Sequence, residues 1–328
     1  MDQITVAFPG LGIGEFQLNK IAFTLFGKVE IRWYGLIITT GIMLAVLYCA
    51  YRSAEMGISK DDLLDMALYT VIFGVLGARL YYVLMTLNVY PYKSLIDVIA
   101  IWEGGLAIYG GVIGGSLAIC IFCRLKKISM LRALDMAAPA VMIGQFMGRW
   151  GNFFNGEAYG YEVPENSPLY FLRMGLTPNV NSAVRMDYFH PTFLYESVWN
   201  VIGFILINAL FRKRKFDGQI ALMYFTWYGF GRMWIEGLRT DSLYLGVFRV
   251  SQVVGFVCFA LCGILLIVGL VNARRRALAG EAYESCYAKC TAKMSIVKQN
   301  NTPAEQPVEK GEQGNAIAEE ETNDGKEN

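Results

Sequence analysis

Apolar residues in this chain fall in long runs rather than in the alternating or half-buried patterns of a water-soluble fold. Seven runs approach the roughly 20 residues a helix needs to cross a hydrocarbon core. They cover 31–51, 66–87, 104–123, 130–149, 192–211, 219–236 and 250–272. The fourth is the weakest, interrupted by Arg132, Asp135 and Pro139, and the sixth is short and carries Arg232 and Glu236. The longest connection, about 150–190, is rich in Gly, Asn, Tyr and Pro. This pattern predicts an all-α, polytopic membrane protein with seven transmembrane helices. An N-terminal extracytoplasmic arm (1–30) precedes the membrane domain (31–273), into which a small extracytoplasmic head (150–190) is inserted. The remainder (274–328) turns polar, and from about 299 it is rich in Glu, Asn and Lys. A cytoplasmic, largely disordered tail is expected there.

Orientation follows from where Lys and Arg sit in the short loops, because cytoplasmic loops carry the excess. Arg52 and Lys60 follow the first run, Arg124, Lys126 and Lys127 the third, 212–215 (RKRK) the fifth and 274–276 (RRR) the seventh. The loop after the second run holds only Lys93, and that after the sixth only Arg239 and Arg249. The bias places the N-terminus outside and the C-terminus in the cytoplasm. Trp33, Trp102, Trp150 and Trp234 all fall at ends this topology puts outside, as an aromatic belt would. The start, MDQITVAFPG, lacks the basic region of a cleavable signal peptide.

Composition agrees with the membrane class. Hydrophobic residues make up 55% of the 328 and charged residues 17%, with a net charge of +1; soluble domains carry about 25% charged residues. Mean hydropathy is +0.37. A near-neutral chain without a basic stripe gives no sign of nucleic-acid binding. Of seven cysteines, Cys49, Cys120, Cys123, Cys258 and Cys262 lie in apolar runs, where a thiol acts as a small hydrophobe. Cys286 and Cys290 follow the last run. Cys120 and Cys123 form a C-x-x-C, but no second ligand pair or βαβ pattern accompanies it. The one histidine, His190, excludes motifs that need two, so no zinc site is expected. The glycines at 10, 12 and 14 read as a loop, since no βαβ context surrounds them.

Ionisable residues inside a membrane are informative because each costs about 2.5–3.5 kcal/mol at a helix centre. Arg79 lies two-thirds of the way out along the second run, and Tyr109 in the outer third of the third, within the glycine-rich 104–111. Arg149 closes the fourth run. Glu196 opens the fifth, with His190 just outside it. Arg232 and Glu236 end the sixth, Arg239 follows, and Tyr34 begins the first. Polar groups from six helices thus share one depth. Arg232 and Glu236, four apart, face one direction. Taken singly, each has a bland reading: arginines near helix ends snorkel to headgroups, and tyrosines there join the belt. Arg232 with Glu236 would be a structural ion pair, and His190 a loop histidine. Snorkelling, however, would populate both faces, whereas Arg79, Arg149 and Arg232 all lie outward. A cation-rich set of guanidiniums on one level suits an anionic phosphate, and a lipid headgroup is the phosphate at that depth.

One segment is more specific. Residues 148–160, GRWGNFFNGEAYG, resemble the signature G-R-x-G-N-F-x-N-x-E-x-x-G of bacterial prolipoprotein diacylglyceryl transferases, matching every fixed position. Further stretches resemble that family in its order: IRWYGL (31–36), GARL (77–80), WEGGL (102–106), HPTFLYE (190–196) and GRMWIEGLR (231–239). Together they cover about 20–275.

The resemblance implies transfer of the diacylglyceryl group of phosphatidylglycerol to the lipobox cysteine of a prolipoprotein. The product is a thioether, and glycerol 1-phosphate leaves. It implies a bacterial plasma-membrane enzyme that needs no cofactor or metal. Its partners would be phosphatidylglycerol, prolipoprotein signal peptides and membrane lipids. Carried over by position, Arg149 would bind the phospholipid, with Arg79, Arg232 and Arg239 in the lipid-binding set. Asn152 and Gly160 would shape the site, and Glu157 would be a supporting carboxylate. Tyr34 matches a functional tyrosine, Arg232 and Glu236 an ion pair, and Arg239 a further basic position. Two positions depart from the pattern. Tyr109 stands where many members carry His, and Phe193 where many carry Gln. A phenol, with pKa near 10, needs nearby arginine to ionise at neutral pH. Tyr34, Tyr109 and His190 therefore remain equal candidates to favour the thiolate. A transporter, a non-enzymatic anionic-lipid binder and another headgroup transferase are the rival readings. They would need, respectively, broken midplane helices, no use for the 148–160 segment, and metal-binding carboxylates.

Overall fold

A computed structural model describes residues 2–27, 29–177, 186–281 and 283. Residues 284–328, most of the predicted tail, lie outside the described residues. Helices occupy every predicted apolar segment: α1 (Trp33–Ser53), α2 (Lys60–Thr86), α4 (Ile108–Leu125), α5 (Met130–Asn155), α6 (Thr192–Phe211), α7 (Gln219–Ile235) and α8 (Val250–Leu278). A five-residue helix, α3 (Leu95–Ile99), stands between α2 and α4, capped by reciprocal hydrogen bonds between Ser94 and Asp97. Five of the helices, α1, α2, α4, α6 and α8, are long and apolar enough to cross a membrane. The other two are α7, with 17 residues, and α5, whose length is interrupted by Arg132, Asp135, Gln145, Arg149 and Asn152.

Two expectations about α5 change. Pro139 does not break it. Asp135 is fully buried yet well partnered, since its carboxylate accepts from the amides of Gly218 (2.8 Å) and Ala221 (2.9 Å). It therefore caps α7, where the exposed N–H groups and the helix dipole favour an anion. The helix also continues to Asn155, so 150–155 are its last turns and not the start of a head. Likewise α8 runs past 273 to Leu278.

Helices as apolar as these gain little from water exclusion in lipid and associate through close packing and hydrogen bonds. The pairs α1–α5, α2–α4, α5–α6 and α7–α8 are the main contacts. At the α2–α4 crossing a side chain on Gly110 would run into the Gly77 carbonyl. Between α6 and α7, Trp199 and Trp227 stack at 4.2 Å, and each indole N–H donates to the other's backbone carbonyl (3.1 and 3.0 Å). Large apolar side chains such as Leu47, Leu80 and Ile267 point outward, as a lipid-facing surface requires.

The all-α expectation needs correction, because strands β1 (Gln3–Phe8), β2 (Ile13–Asn19), β5 (Met174–Thr177) and β6 (Asp187–Phe189) form an antiparallel sheet in the order β2-β1-β5-β6. Two hairpins, β3–β4 (Ile21–Leu25, Val29–Arg32) and β7–β8 (Tyr244–Leu245, Phe248–Arg249), lie before α1 and α8. The N-terminal arm and the 150–190 insert thus share one sheet. Its buried side chains Ile4, Val6, Met174 and Leu176 pack with Phe153 and Phe193 from the ends of α5 and α6. Those two rings stack at 4.5 Å. Phe193 is therefore part of the apolar seat of the sheet.

Candidate functional site

The site is built where α5, α6 and α7 reach the sheet end of the bundle. Helix α5 stops at Gly156, whose φ of +63° suits glycine, and the chain doubles back so that the Glu157 amide donates to the Asn152 carbonyl (3.1 Å). That turn sets the Glu157 carboxylate over the last helical turn, where it accepts from Asn155 Nδ2 (3.2 Å). With its amide oriented to satisfy both neighbours, Asn152 donates to Glu157 Oε1 (3.3 Å) and accepts from Arg149 Nη1 (3.0 Å).

From Arg149 the network continues across helices. Its Nε meets Glu196 Oε2 at 2.9 Å. Glu196 also takes Arg232 Nη1 on Oε1 (2.8 Å) and Arg239 Nη1 on Oε2 (3.5 Å). Arg232 Nη2 meets Glu236 at 2.6 Å, and Arg239 clasps Asp241 with two bonds of 2.9 and 2.7 Å. Glu196 and Glu236 are only 3% and 2% exposed. Buried carboxylates survive as charges only when paired this closely. Arg249 closes the chain, donating to the backbone carbonyl of Glu236 and to the Tyr161 hydroxyl (3.2 Å). Arg149, Arg232 and Arg239 are balanced by Glu196, Glu236 and Asp241, so the set is not cation-rich as the sequence suggested. The Arg239 guanidinium holds the Asp241 carboxyl below its usual range.

Gly160 ties the flanking loops to this network. Its amide donates to the His190 carbonyl (2.9 Å), and it forms a bridge to Arg239. A Cβ there would lie 2.7 Å from both His190 Cβ and the Leu238 carbonyl oxygen, so only glycine fits. Thr192 Oγ1 and Thr240 Oγ1 donate to the Ala158 and Tyr159 carbonyls (2.6 and 3.0 Å). His190 is buried, its Nδ1 3.2 Å from the Tyr195 hydroxyl, and burial pushes its imidazole below the usual value.

The structure therefore joins Arg149, Asn152, Glu157, Arg232, Glu236 and Arg239 in one network, with Gly160 and His190 bonded to its rim. Tyr34 packs on the same turn of α5: a Cβ on Gly151 would lie 3.0 Å from its ring. Arg79 and Tyr109 stand apart. Tyr109 neighbours Tyr81, the ring centroids 6.4 Å apart. The Arg79 guanidinium donates to the carbonyls of Asp97, Val98, Gly104 and Gly105 (2.5, 2.8, 2.6 and 3.3 Å). These bonds clamp the α3 loop. Among the described residues, no hydrogen bond or ion pair links either residue to the network. Conversely, sequence reasoning gave no role to Glu196, the hub, although it sits in the HPTFLYE stretch. Asn155 is a fixed position of the 148–160 signature that was given no role, and Asp241 carried no signal beyond its place beside Arg239.

A family model described as prolipoprotein diacylglyceryl transferase matches residues 20–268. The chain belongs to that family. Relatives named phosphatidylglycerol–prolipoprotein diacylglyceryl transferase are similar over most of their length. The protein of Lysinibacillus sphaericus is 42% identical over 79% of this chain and 93% of its own. That of Streptococcus pneumoniae serotype 4 is 47% identical over 77% and 94%, and that of Enterococcus faecalis 44% over 77% and 91%. With its apolar helices, the family makes this a bacterial membrane protein. The matched region contains the whole network, whereas β1 and β2 precede it.

Proposed function

We propose that the chain transfers the diacylglyceryl group of phosphatidylglycerol to the lipobox cysteine of a prolipoprotein. The sulfur forms a thioether with the glyceryl carbon as glycerol 1-phosphate leaves. The continuous network from Glu157 to Asp241 carries this reading. Its arginines are fixed by carboxylates before any ligand arrives, which is the preorganisation that stabilises charge on a departing phosphate. Arg149 is the most exposed of the three, at 17% of its side chain, and its contacts leave Nη2 available to grip a phosphate oxygen. Arg232 and Arg239 set the field behind it. Free cysteine has a pKa of about 8.5, so the attacking thiol needs help to ionise. His190, buried beside Tyr195, and Tyr34, packed against the last turns of α5, are the groups we take to give it. Arg79 positions the loop before α4.

The same reading supplies topology. The seven helices span the plasma membrane with the sheet end, N-terminal arm and 150–190 insert outside and the C-terminal tail in the cytoplasm. The distribution of Lys and Arg supports this orientation. Purified protein, phosphatidylglycerol and a lipobox peptide make the test. A diacylglyceryl mass increment on the cysteine with one glycerol phosphate released per event is expected. Lipid binding without release would leave an anionic-lipid binder instead.

A further inference from the structure

The four-stranded sheet is continued on one side and open on the other. Beyond β6, residues 160–163 carry the pairing on. Gly160 and Val163 donate to the carbonyls of His190 and Tyr188 (both 2.9 Å), and the His190 amide donates to the Tyr161 carbonyl (2.9 Å). At the opposite side β2 is outermost, and among the described residues no strand pairs with its outer edge. The register says which groups that edge presents. The Lys20 amide donates to the Asp2 carbonyl (2.7 Å), and Asn19, Leu18, Gln17 and Phe16 stand opposite Gln3, Ile4, Thr5 and Val6. Bonded and non-bonded pairs alternate along an antiparallel ladder. Lys20, Leu18 and Phe16 therefore turn their backbone groups to β1, while the N–H and C=O of Gln17 and Asn19 point away from the sheet. The shift in register lies beyond this stretch, toward Ile13. Edge strands are commonly blunted by lysine or proline, and residues 16–19 contain neither.

The place of this edge says what would pair with it. Phe16 and Leu18 pack on the apolar cluster that holds Phe153 and Phe193 at the ends of α5 and α6. Ile4, opposite Leu18, meets the turn that ends α5: a Cβ on Gly156 would lie 2.7 Å from its Cδ1, and Glu157 of the network comes next. Lys20 accepts from the amide of Trp33 (3.0 Å), the residue before Tyr34. The open edge thus lies at the end of the bundle where the proposed reaction takes its cysteine. A phospholipid has no row of alternating donors and acceptors to offer such an edge. An extended peptide does, presenting N–H and C=O to one side at every second residue. Strand addition also reads backbone rather than side chains, which suits a segment whose sequence serves another protein. We infer that the residues following the lipobox cysteine add as a strand to β2, hydrogen-bonded to the backbone of Gln17 and Asn19. The inference rests on the proposed reaction for its partner and adds where the partner's chain is held.

The test uses the full-length protein in detergent, without lipid, and a peptide of the lipobox cysteine with the residues that follow it. Methylating the peptide's backbone nitrogens one at a time removes one donor per position. Affinity should fall about fivefold, the worth of one neutral hydrogen bond, at alternate residues and stay within about twofold at those between. Proline is tolerated on an edge strand where its nitrogen faces solvent. Gln17→Pro should therefore keep the fold and weaken the unmethylated peptide about fivefold, whereas Gln17→Ala, which keeps the N–H, should bind it as the unaltered protein does. In turnover Gln17→Pro should raise the KM for this peptide and leave kcat unchanged. Loss of affinity at every methylated position, or at none, would overturn the inference without recourse to a variant. So would equal effects of Gln17→Pro and Gln17→Ala. A dimer of the unaltered protein that Gln17→Pro dissolves would overturn it as well, by giving the edge to a second copy of this chain. Because binding is read without lipid, the expected alternation with no transfer once phosphatidylglycerol is added would remove the proposed reaction and leave the inference standing.

Discussion

The bundle buries charge at both ends, and the two ends use it differently. At the end away from the sheet, Glu55 is buried between Arg52 (2.9 Å) and Arg212 (2.6 Å), with Arg214 donating to its backbone carbonyl (3.4 Å). Arg52 also lies 4.3 Å over the Phe211 ring and bonds Asn208, and Arg214 reaches the Phe211 carbonyl. The Glu55 carboxylate, the Asn208 side chain, the Phe211 ring and two backbone carbonyls are the partners, and they fasten the α1–α2 turn to the end of α6. At the sheet end, three guanidiniums from α5, α7 and the segment after it are paired with carboxylates from α6, α7 and the loop beyond. Arg149 and Arg232 reach Glu196 across helices, and Arg149 Nη2 has no partner among the described residues. Burial and charge alone therefore do not mark a site. What separates the two clusters is that Glu55 gathers its arginines at one turn that fastens α1 to α6, whereas the sheet-end cluster runs through the 148–160 segment and links α5, α6 and α7.

The sharpest way to break this contrast is to neutralise one arginine at each end. Arg149→Gln should lower turnover of phosphatidylglycerol about 10²–10³-fold, the loss seen when one donor to developing charge is removed. Arg212→Gln should leave turnover within about twofold in the same lipid-to-peptide assay. Equal losses would erase the distinction between the clusters.

The carboxylates give the next largest effect. Glu196→Gln and Glu55→Gln each leave guanidiniums partly uncompensated, and breaking a buried pair costs about 3–5 kcal/mol. Both should lower the thermal midpoint in detergent. Glu55→Gln should do so by less, since the side chain of Arg212 is 52% exposed and water screens that pair. Only Glu196→Gln should also abolish the activity of the folded fraction. A smaller loss follows from crowding. Gly160→Ala forces a methyl against His190 and Leu238, and overpacking of this kind costs about 1–3 kcal/mol. The same change displaces Arg239 through the bridge, so turnover should fall further than the midpoint suggests.

How far the sequence reveals all this depends on the length scale of the signal. Apolar runs of 20 residues survive any local accident, which is why every predicted segment is a helix. The sheet escaped because its strands are three to seven residues long and two of them lie in a glycine-rich insert. The QITVAF alternation of β1 pairs locally with β2, but its second partner, β5, lies across most of the membrane domain in sequence. Within the site, residue types and depth were legible but partners were not. Arg79 and Arg149 look alike as outward arginines in apolar helices, yet one grips carbonyls and the other a carboxylate. Only the tertiary path of the α3 loop separates them. Glu196 was placed at the shared depth but given no role because a carboxylate contradicts the search for phosphate-binding cations, although burying three guanidiniums together requires it.

The last and smallest effect distinguishes the rim of the site from its ionic centre through pH. Burial holds His190 below its ordinary value of about 6.5, so the unfolded chain takes up a proton before the native protein does. Stability should therefore decline as pH falls below about 6.5, levelling once His190 itself protonates in the fold. His190→Gln should flatten that part of the curve. Asp241 bends the curve the same way in a separate window. Its folded pKa is depressed by Arg239, so its contribution is complete above the ordinary carboxylate value and is lost as pH falls through the lower folded one. Asp241→Asn should lower the midpoint by a constant amount above about pH 4, the difference shrinking as pH falls below it, and leave the shape between 5 and 7 untouched. Thermal midpoints of the three proteins across pH 3–8 would show two separable steps. A single step common to both variants would mean that the imidazole and the Arg239–Asp241 pair titrate as one unit, and the rim would then belong to the ionic centre.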